Sequence, residues 1–187
     1  MRLNYVSVPF EPADEEETAI YDSIVARRGG TEKLVAIDYT LLHAPLIASG
    51  FNAFAKAVRT QNSLPPTIRE LSFTRVAAIT KCWYEWDIHH PIALAEGMSA
   101  EAMAIVKKGR DAGTELENGV LTPQQLAVVR LADSMTLSLR VLGDIWNDVQ
   151  SQFSQKELVE LTASVAFFNT VCRFVTTLDV GERVDDS

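Results

Sequence analysis

The hydrophobic residues of this chain recur with helical spacing along most of its length. The clearest case runs from about Gln155 to Leu178. A helix that is apolar on nearly every side lies at the centre of a bundle or at an interface between subunits. We therefore predict a central last helix with apolar positions around most of its circumference: Leu158, Leu161, Val165, Phe168, Val171, Phe174, Val175 and Leu178.

Side chains that accept hydrogen bonds from free backbone N–H groups mark the starts of further helices. Thr67, Thr122 and Ser154 are each followed three positions later by Glu or Gln, which is the capping-box pattern. The acidic run 13–17 suits the positive end of a first helix, and Gly29 follows as a stop signal. No segment alternates with the period of a strand for long. These patterns predict an all-α fold, with the whole chain 1–187 as a single domain.

Composition and charge narrow the class of protein. Of 187 residues, 47% are hydrophobic and 22% charged, which excludes a disordered chain. Seventeen basic against 25 acidic residues give a net charge of −8. An acidic surface repels phosphate groups, so we expect neither nucleic acid nor a membrane as a partner.

Two cysteines cannot build the disulfide scaffold of a small secreted protein. The first ten residues lack the apolar region of a signal peptide, and no apolar run approaches the length needed to span a bilayer. These features predict a soluble protein in the reducing cytoplasm.

Reactive side chains are densest at residues 81–90. On a helix, Cys82, Glu85 and His89 share one face, and Glu85 lies one turn before His89. A carboxylate next to an imidazole favours its protonated form, which gives a proton donor near neutral pH. Trp83 and Trp86 provide apolar walls that exclude water.

Each of these residues also has a purely structural interpretation. The Glu85 and His89 pair is compatible with a weak surface contact, and the tryptophans with the core. Cys82 is compatible with a small buried hydrophobe. Glu70 occupies the third helical position after Thr67, where it would cap the helix.

Two arginines are candidates for holding an anionic substrate. Arg75 follows Glu70 on the same helix, and Arg173 lies one turn after Asn169 on the apolar last helix. His89 and His90 are adjacent and therefore diverge on a helix, so they make a poor metal pair. The chain also lacks phosphate-loop and dinucleotide fingerprints. We predict neither a metal nor a cofactor.

The motif residues resemble those of the carboxymuconolactone decarboxylase and alkylhydroperoxidase-D-like (AhpD-like) superfamily. Three blocks carry the resemblance: Arg69-Glu-Leu-x-x-x-Arg75, Cys82-x-Tyr-Glu85-Trp-x-x-His89, and the segment 157–173. It covers about residues 40–178, which leaves 1–39 as a helical N-terminal extension. The resemblance implies an AhpD-like helical bundle that assembles into homo-oligomers such as dimers, trimers or hexamers.

The resemblance also assigns roles to individual residues. The peroxidase branch uses two cysteines one turn apart, a histidine and an upstream glutamate. In this chain Cys82 occupies the first cysteine position, His89 the histidine position and Glu70 the glutamate position, while Glu85 replaces the second cysteine. The decarboxylase branch keeps Glu-x-x-x-His, as Glu85 and His89 do.

The leading hypothesis is a cofactor-free enzyme that decarboxylates, isomerises or dehydrates a small carboxylated lactone or aromatic-derived metabolite. His89, held by Glu85, would donate the proton, and Glu70 would be a second acid–base or orienting group. Arg75 or Arg173 would hold the substrate carboxylate. The alternatives are a thiol peroxidase that uses Cys82, with Cys172 resolving it if the fold brings the two together, and a binding protein without activity.

Overall fold

The protein is all-α in a computed structural model that describes residues 1–183, and this part of the chain contains no strand. The helices are α1 (Glu15–Arg28), α2 (Ala36–Leu41), α3 (Pro45–Thr60), α4 (Pro66–Thr80), α5 (Trp83–Ala95), α6 (Ala100–Lys107), α7 (Pro123–Leu137), α8 (Gly143–Gln152) and α9 (Gln155–Leu178). Short 3-10 segments join α1 to α2 and α6 to α7: Thr31–Lys33 and Gly109–Glu117. The predicted all-α class is confirmed.

Local sequence signals account for several helix ends. Thr122 and Ser154 form the predicted capping boxes at the starts of α7 and α9. Gly29 ends α1 in the left-handed conformation that glycine favours. The prediction for Thr67 is wrong, because α4 begins at Pro66 after Pro65 and has no side-chain cap. Proline suits the first helical position because the N–H that it lacks would be unpaired there in any case.

The centre of the bundle is α4, which contacts α5, α6, α7 and α9. Every residue from 70 to 79 is buried, so the polar side chains on this stretch must find partners inside the protein. The last helix α9 packs against α3, α4, α7 and α8. It therefore shares the core, while its partly exposed face is free for other contacts.

One sequence expectation about membranes needs correction. By length and composition α9 could span a bilayer, although no membrane-length run was expected from the sequence. Half of its most apolar stretch is buried inside the bundle. A core helix of a globular fold has this character.

The first residues of the chain meet the segment that follows α9, beside α5. The amino group of Met1 lies 3.1 Å from the Asp179 carboxylate, and the Gly181 N–H donates to the Tyr5 hydroxyl at 3.0 Å. Gly181 has a φ of +78°, and a Cβ there would clash with the ring of Tyr84. Only glycine allows the C-terminal segment to pass so closely over α5.

Candidate active site

A buried glutamate–histidine pair joins the two helices at the centre of the site. His89 Nδ1 on α5 lies 2.6 Å from Glu70 Oε2 on α4. Arg69 donates to the other Glu70 oxygen at 3.2 Å. Glu70 therefore orients the imidazole across the α4–α5 interface, rather than capping α4.

The charge state of this pair follows from its surroundings. Burial raises the pKa of Glu70, but the hydrogen bonds from His89 and Arg69 outweigh it and the pKa falls below its usual value. Complete burial lowers the pKa of His89, in spite of the opposing hydrogen bond to Glu70. The resulting state is an ionised Glu70 that accepts from Nδ1–H, with a lone pair on Nε2.

Aromatic rings enclose the histidine. Phe73 and Phe168 stack on one another with ring centroids 4.0 Å apart, and both meet the imidazole edge-on. His89 has no exposed surface. These phenylalanines form the dry wall that the sequence analysis assigned to Trp83 and Trp86.

The second nitrogen of His89 points at another carboxyl group. Nε2 lies 3.6 Å from Glu85 Oε2, which is too long for a hydrogen bond. Nε2 is buried and has no hydrogen-bond partner among residues 1–183. A buried polar atom left in this state is unusual in a native structure and favours a functional interpretation.

Glu85 connects the histidine to a cavity. Its carboxyl group is 4% exposed, and burial raises its pKa to about 7, against the lowering effect of Arg59 and Arg28. The cavity has a volume of about 90 Å³. Its walls are mainly apolar and are formed by Val35, Ile37, Phe51, Ala55, Ile88, Phe167, Phe168 and Val171.

Three arginines give this cavity a positive charge. Arg27, Arg28 and Arg59 line it together with Glu85. Asp38 lies within 3.3 Å of Arg27 and 2.7 Å of Arg28, so it balances those two only in part. Three positive charges against at most two negative ones favour an anionic ligand.

Arg59 has free hydrogen-bonding capacity, and so does the buried Nε of Arg28. Within residues 1–183 the guanidinium group of Arg59 forms no hydrogen bond or close ion pair, although it interacts electrostatically with Glu85 and Glu70. Burial lowers its pKa, but a guanidinium group keeps its charge in proteins. A planar donor beside a cavity suits a carboxylate.

The structure thus brings together three of the four predicted catalytic residues, Glu70, Glu85 and His89. It differs from the sequence analysis in their arrangement, because Glu70 holds the imidazole and Glu85 faces the cavity. Cys82 precedes α5 and is buried, does not line the cavity, and has its pKa lowered chiefly by Cys172 of α9.

The structure places Arg75, a predicted substrate-binding residue, in a buried ion pair away from the cavity. Its guanidinium group is 1% exposed and forms a bidentate pair with Asp133 at 2.6 and 2.7 Å. It also donates to the carbonyl group of Val106 at 3.1 Å. Arg75 therefore connects α4 to α6 and α7 and has no donor directed at the cavity.

The remaining predicted binding residues lie on a different surface. Trp83 and Arg173 line a solvent-exposed groove of about 840 Å³, with Lys81, Lys107 and Arg110 on its other walls. Trp86 stacks on His90. Arg173 donates to the Asn169 side chain at 2.6 Å, as the i,i+4 spacing suggested. None of the three residues lines the cavity at Glu85.

Sequence reasoning missed Arg59 and the two phenylalanines. Arg59 lies at the end of α3, outside every motif, and reaches the site only because α3 packs on α9. Phe73 and Phe168 are ordinary core positions in the pattern. No signal in the sequence separates them from other buried residues.

The donors described here do not form a metal centre. Among residues 1–183, no group of three or more His, Cys, Asp and Glu side chains is arranged to hold a metal ion. The chemistry open to the side chains themselves is proton transfer, at Glu85 and His89, and anion binding, at Arg59.

Comparison with protein families gives one match. Residues 45–134 match the carboxymuconolactone decarboxylase family. This region contains α3 to α6 and most of α7, and therefore Arg59, Glu70, Glu85 and His89. No curated protein matches the chain.

Solved structures share the fold. The alkylhydroperoxidase AhpD core of an uncharacterised peroxidase-related protein from Ralstonia eutropha has a TM-score of 0.71 at 19% identity, over 94% of this chain and 92% of its own. An uncharacterised peroxidase-related protein from a Silicibacter species gives 0.71 at 14%, over 91% and 86%. The debrominase Bmp8 gives 0.69 at 12%, over 92% and 87%. At these identities the likeness establishes the fold alone.

Proposed function

We propose that the protein is an acid–base enzyme acting on a small carboxylated lactone or related acid. The match of residues 45–134 to the carboxymuconolactone decarboxylase family and the fold shared with AhpD-like structures support this proposal. The observation that carries this proposal is Glu85. It is a cavity-lining carboxyl group whose pKa of about 7 matches the working range of a general acid.

Each polar group has a distinct role in this proposal. Arg59 binds the carboxylate of the substrate, and Glu85 exchanges a proton with its carbon skeleton. His89 and Glu70 are positioning residues, because they lie behind Glu85 and do not line the cavity. The Nε2 lone pair provides a proton acceptor on the Glu85 side of the imidazole.

Decarboxylation at this site requires the transfer of one proton, from Glu85 to the substrate. The bond between the substrate carbon and its carboxylate breaks, and carbon dioxide leaves. The electron pair moves into a conjugated carbonyl group of the substrate and gives a dienolate. Protonated Glu85 donates its proton to the dienolate carbon, and the resulting carboxylate recovers a proton from solvent. Isomerisation and dehydration need the same donor and acceptor.

The shape of the cavity supports a small substrate. Its volume of about 90 Å³ and its apolar walls suit a compact organic acid. Apolar walls lower the local dielectric constant, which strengthens the attraction between a carboxylate and Arg59. We also propose that the enzyme is a cytoplasmic homo-oligomer and needs no cofactor.

The test is turnover of a panel of small carboxylated lactones and unsaturated acids in deuterated water. We expect carbon dioxide release with one deuterium incorporated per product molecule. Glu85→Gln should reduce kcat by roughly two orders of magnitude or more, the usual effect of losing a general acid. Glu96→Gln, which changes an exposed glutamate just after α5, should leave kcat unchanged. Full turnover by Glu85→Gln would contradict the proposal.

The pH profile separates the positioning residues from merely structural ones. Proton donation requires protonated Glu85, so kcat should be level below pH 7 and fall about tenfold per unit above it. His89→Ala should lower kcat and also shift the midpoint of this fall. A loss of equal size at every pH would assign His89 a structural role only.

A further inference from the structure

A basic groove lies on the surface of the bundle, apart from the cavity at Glu85. It has a volume of about 840 Å³ and is formed by the end of α4, the start of α5, the segment that follows α6, and α9. Four basic residues that line it form no ion pair within residues 1–183, and we call them the four unpaired cations: Lys81, Lys107, Arg110 and Arg173. A fifth, Lys108, is paired with Glu115 at 2.6 Å, and one acidic residue, Asp111, also lines the groove. The groove therefore carries an excess of positive charge on a protein whose net charge is −8.

Helix dipoles account for only two of the four unpaired cations. Lys81 directly follows α4 and Lys107 is the last residue of α6, and a helix C-terminus favours a positive side chain. Arg110 lies near the start of a 3-10 segment, and Arg173 lies within α9, more than one turn before its end. No helix end favours a positive charge at these two positions. Unpaired like charges that share one groove repel one another, so the arrangement favours a ligand with several negative charges.

A close approach of two backbone segments builds one wall of the groove. Gly109 is buried and has a φ of +56°, and a Cβ there would lie 2.8 Å from the carbonyl oxygen of Ala78 on α4. Only glycine allows the segment after α6 to pass so closely over the end of α4. Lys107 and Arg110 flank this glycine, so the contact brings both of them to the same groove as Lys81.

The backbone at Lys81 adopts a conformation that lysine rarely takes. Its φ of +55° and ψ of +30° lie in the left-handed region, which glycine or asparagine usually occupies after a helix. The side chain is exposed along the groove. A lysine at a position that suits glycine indicates a role for its charge, because strained positions cluster at ligand-binding sites.

Trp83 gives the groove an aromatic wall. It is half-buried, and the ammonium group of Lys107 lies 6.0 Å from the centre of its ring. An indole ring stacks on planar ligands, and the flat guanidinium groups of Arg110 and Arg173 suit phosphate, which they can bind through paired N–H donors. These features favour a ligand that joins a planar ring to clustered phosphate groups.

We propose that this groove binds a nucleoside polyphosphate, with its base against Trp83 and its phosphate groups at the four unpaired cations. The volume of the groove is in the range of small-molecule sites, whereas the cavity of about 90 Å³ at Glu85 is far smaller. The acidic balance of the whole chain disfavours a longer nucleic acid, whose backbone would extend beyond the groove. No residue lines both spaces, so the inference is independent of the acid–base proposal.

The test is calorimetric titration of the full chain with ATP in the presence of EDTA, beside separate titrations with inorganic tripolyphosphate and with adenosine. We expect one ATP to bind per chain, with a Kd at least about tenfold lower than that of tripolyphosphate, the effect of stacking one base on an aromatic ring. Adenosine should bind more weakly than both, because it lacks the charge. The absence of saturable ATP binding would overturn the proposal, and equal Kd values for ATP and tripolyphosphate would overturn the assigned contact with the base.

Matched variants place the ligand in the groove. Arg110→Gln should raise the Kd for ATP about tenfold, the scale of a hydrogen bond to a charged group. Arg140→Gln removes the same charge from an exposed arginine outside the groove and should change the Kd less than about twofold. Equal losses in the two variants would show that only net charge matters, and would overturn the site.

Two further variants separate the base contact from the phosphate contacts, and the groove from the cavity. Trp83→Leu should weaken ATP about tenfold and leave tripolyphosphate unchanged. Arg59→Gln should bind ATP as the wild type does, whatever its effect on turnover of a carboxylated substrate. Loss of ATP binding in Arg59→Gln would place the ligand in the cavity and overturn the proposal. The comparison of the Arg110 and Arg140 variants decides the site even where Trp83→Leu folds poorly.

Discussion

At the scale of single residues, the site depends on unequal environments for two carboxyl groups. Glu70 keeps its charge because His89 and Arg69 donate to it. Glu85 faces the same imidazole from the other side at 3.6 Å, without a hydrogen bond, and burial raises its pKa to about 7. Pushing two pKa values apart in this way separates an orienting group from a proton donor.

The proposed role of Arg59, binding the substrate carboxylate, can be tested against Arg173, which the sequence predicted for the same role. Arg59→Gln should raise KM for a carboxylated substrate by about 10- to 100-fold, the scale of a hydrogen bond to a charged group. Arg173→Gln should leave KM unchanged, because Arg173 lies on the exposed groove. Steady-state kinetics on the two variants checks this. A KM effect in Arg173→Gln and none in Arg59→Gln would move the binding site to the groove.

The sequence predicts the site residues better than their roles. Spacing places Glu85 one turn before His89, and the resemblance adds Glu70. Which carboxyl group meets which imidazole nitrogen depends on how α4 packs on α5, and no local pattern encodes that packing. Arg59 lies in an unremarkable stretch of α3, so only the assembled bundle identifies it.

At the scale of helices, a helix starts where the sequence predicts when the capping residue directly precedes a proline at the first helical position. Thr122 precedes Pro123 and caps α7. Before α4 two prolines compete with the cap, and Pro66 begins the helix one residue ahead of Thr67. The carboxylate expected to complete that cap is then free to bind His89. Here a tertiary contact overrides a local motif.

Two helix starts, one with a capping side chain and one without, give a paired prediction for the stability of the protein. Ser154→Ala should reduce the free energy of unfolding by about 1 kcal/mol, because the serine hydroxyl accepts from the Glu157 N–H at the start of α9. Thr67→Ala should cost less, since Thr67 forms no cap. Denaturant unfolding of the two variants measures both values. An equal or larger loss for Thr67→Ala would contradict the assigned start of α4.

At the scale of the whole molecule, the all-α class follows from periodicity, because helical spacing is a local property that the packing preserves. Assembly is different, since it depends on surfaces. Three large apolar side chains of α3 remain exposed, Leu46 at 69%, Ile47 at 62% and Phe54 at 44%. Exposed apolar side chains on one helix are typical of an interaction surface. They support the proposed homo-oligomer.

Light scattering coupled to size-exclusion chromatography tests this assembly. We expect a mass that is a multiple of the chain mass at micromolar concentration. Ile47→Asp should reduce that mass, because it places a charge on the apolar α3 surface, whereas Lys56→Ala on the same helix should not. A wild-type monomer would contradict the proposal.

The acid–base account is tested most directly by the ionisation of Glu85 itself. Carbon-13 NMR of protein labelled at glutamate carboxyl groups follows each titration, and the Glu85 signal is the one absent from Glu85→Gln. We predict a midpoint near pH 7, because burial outweighs the nearby arginines. A midpoint near the ordinary glutamate value of about 4.3 would show that Glu85 is fully ionised at neutral pH, and would contradict its role as the proton donor.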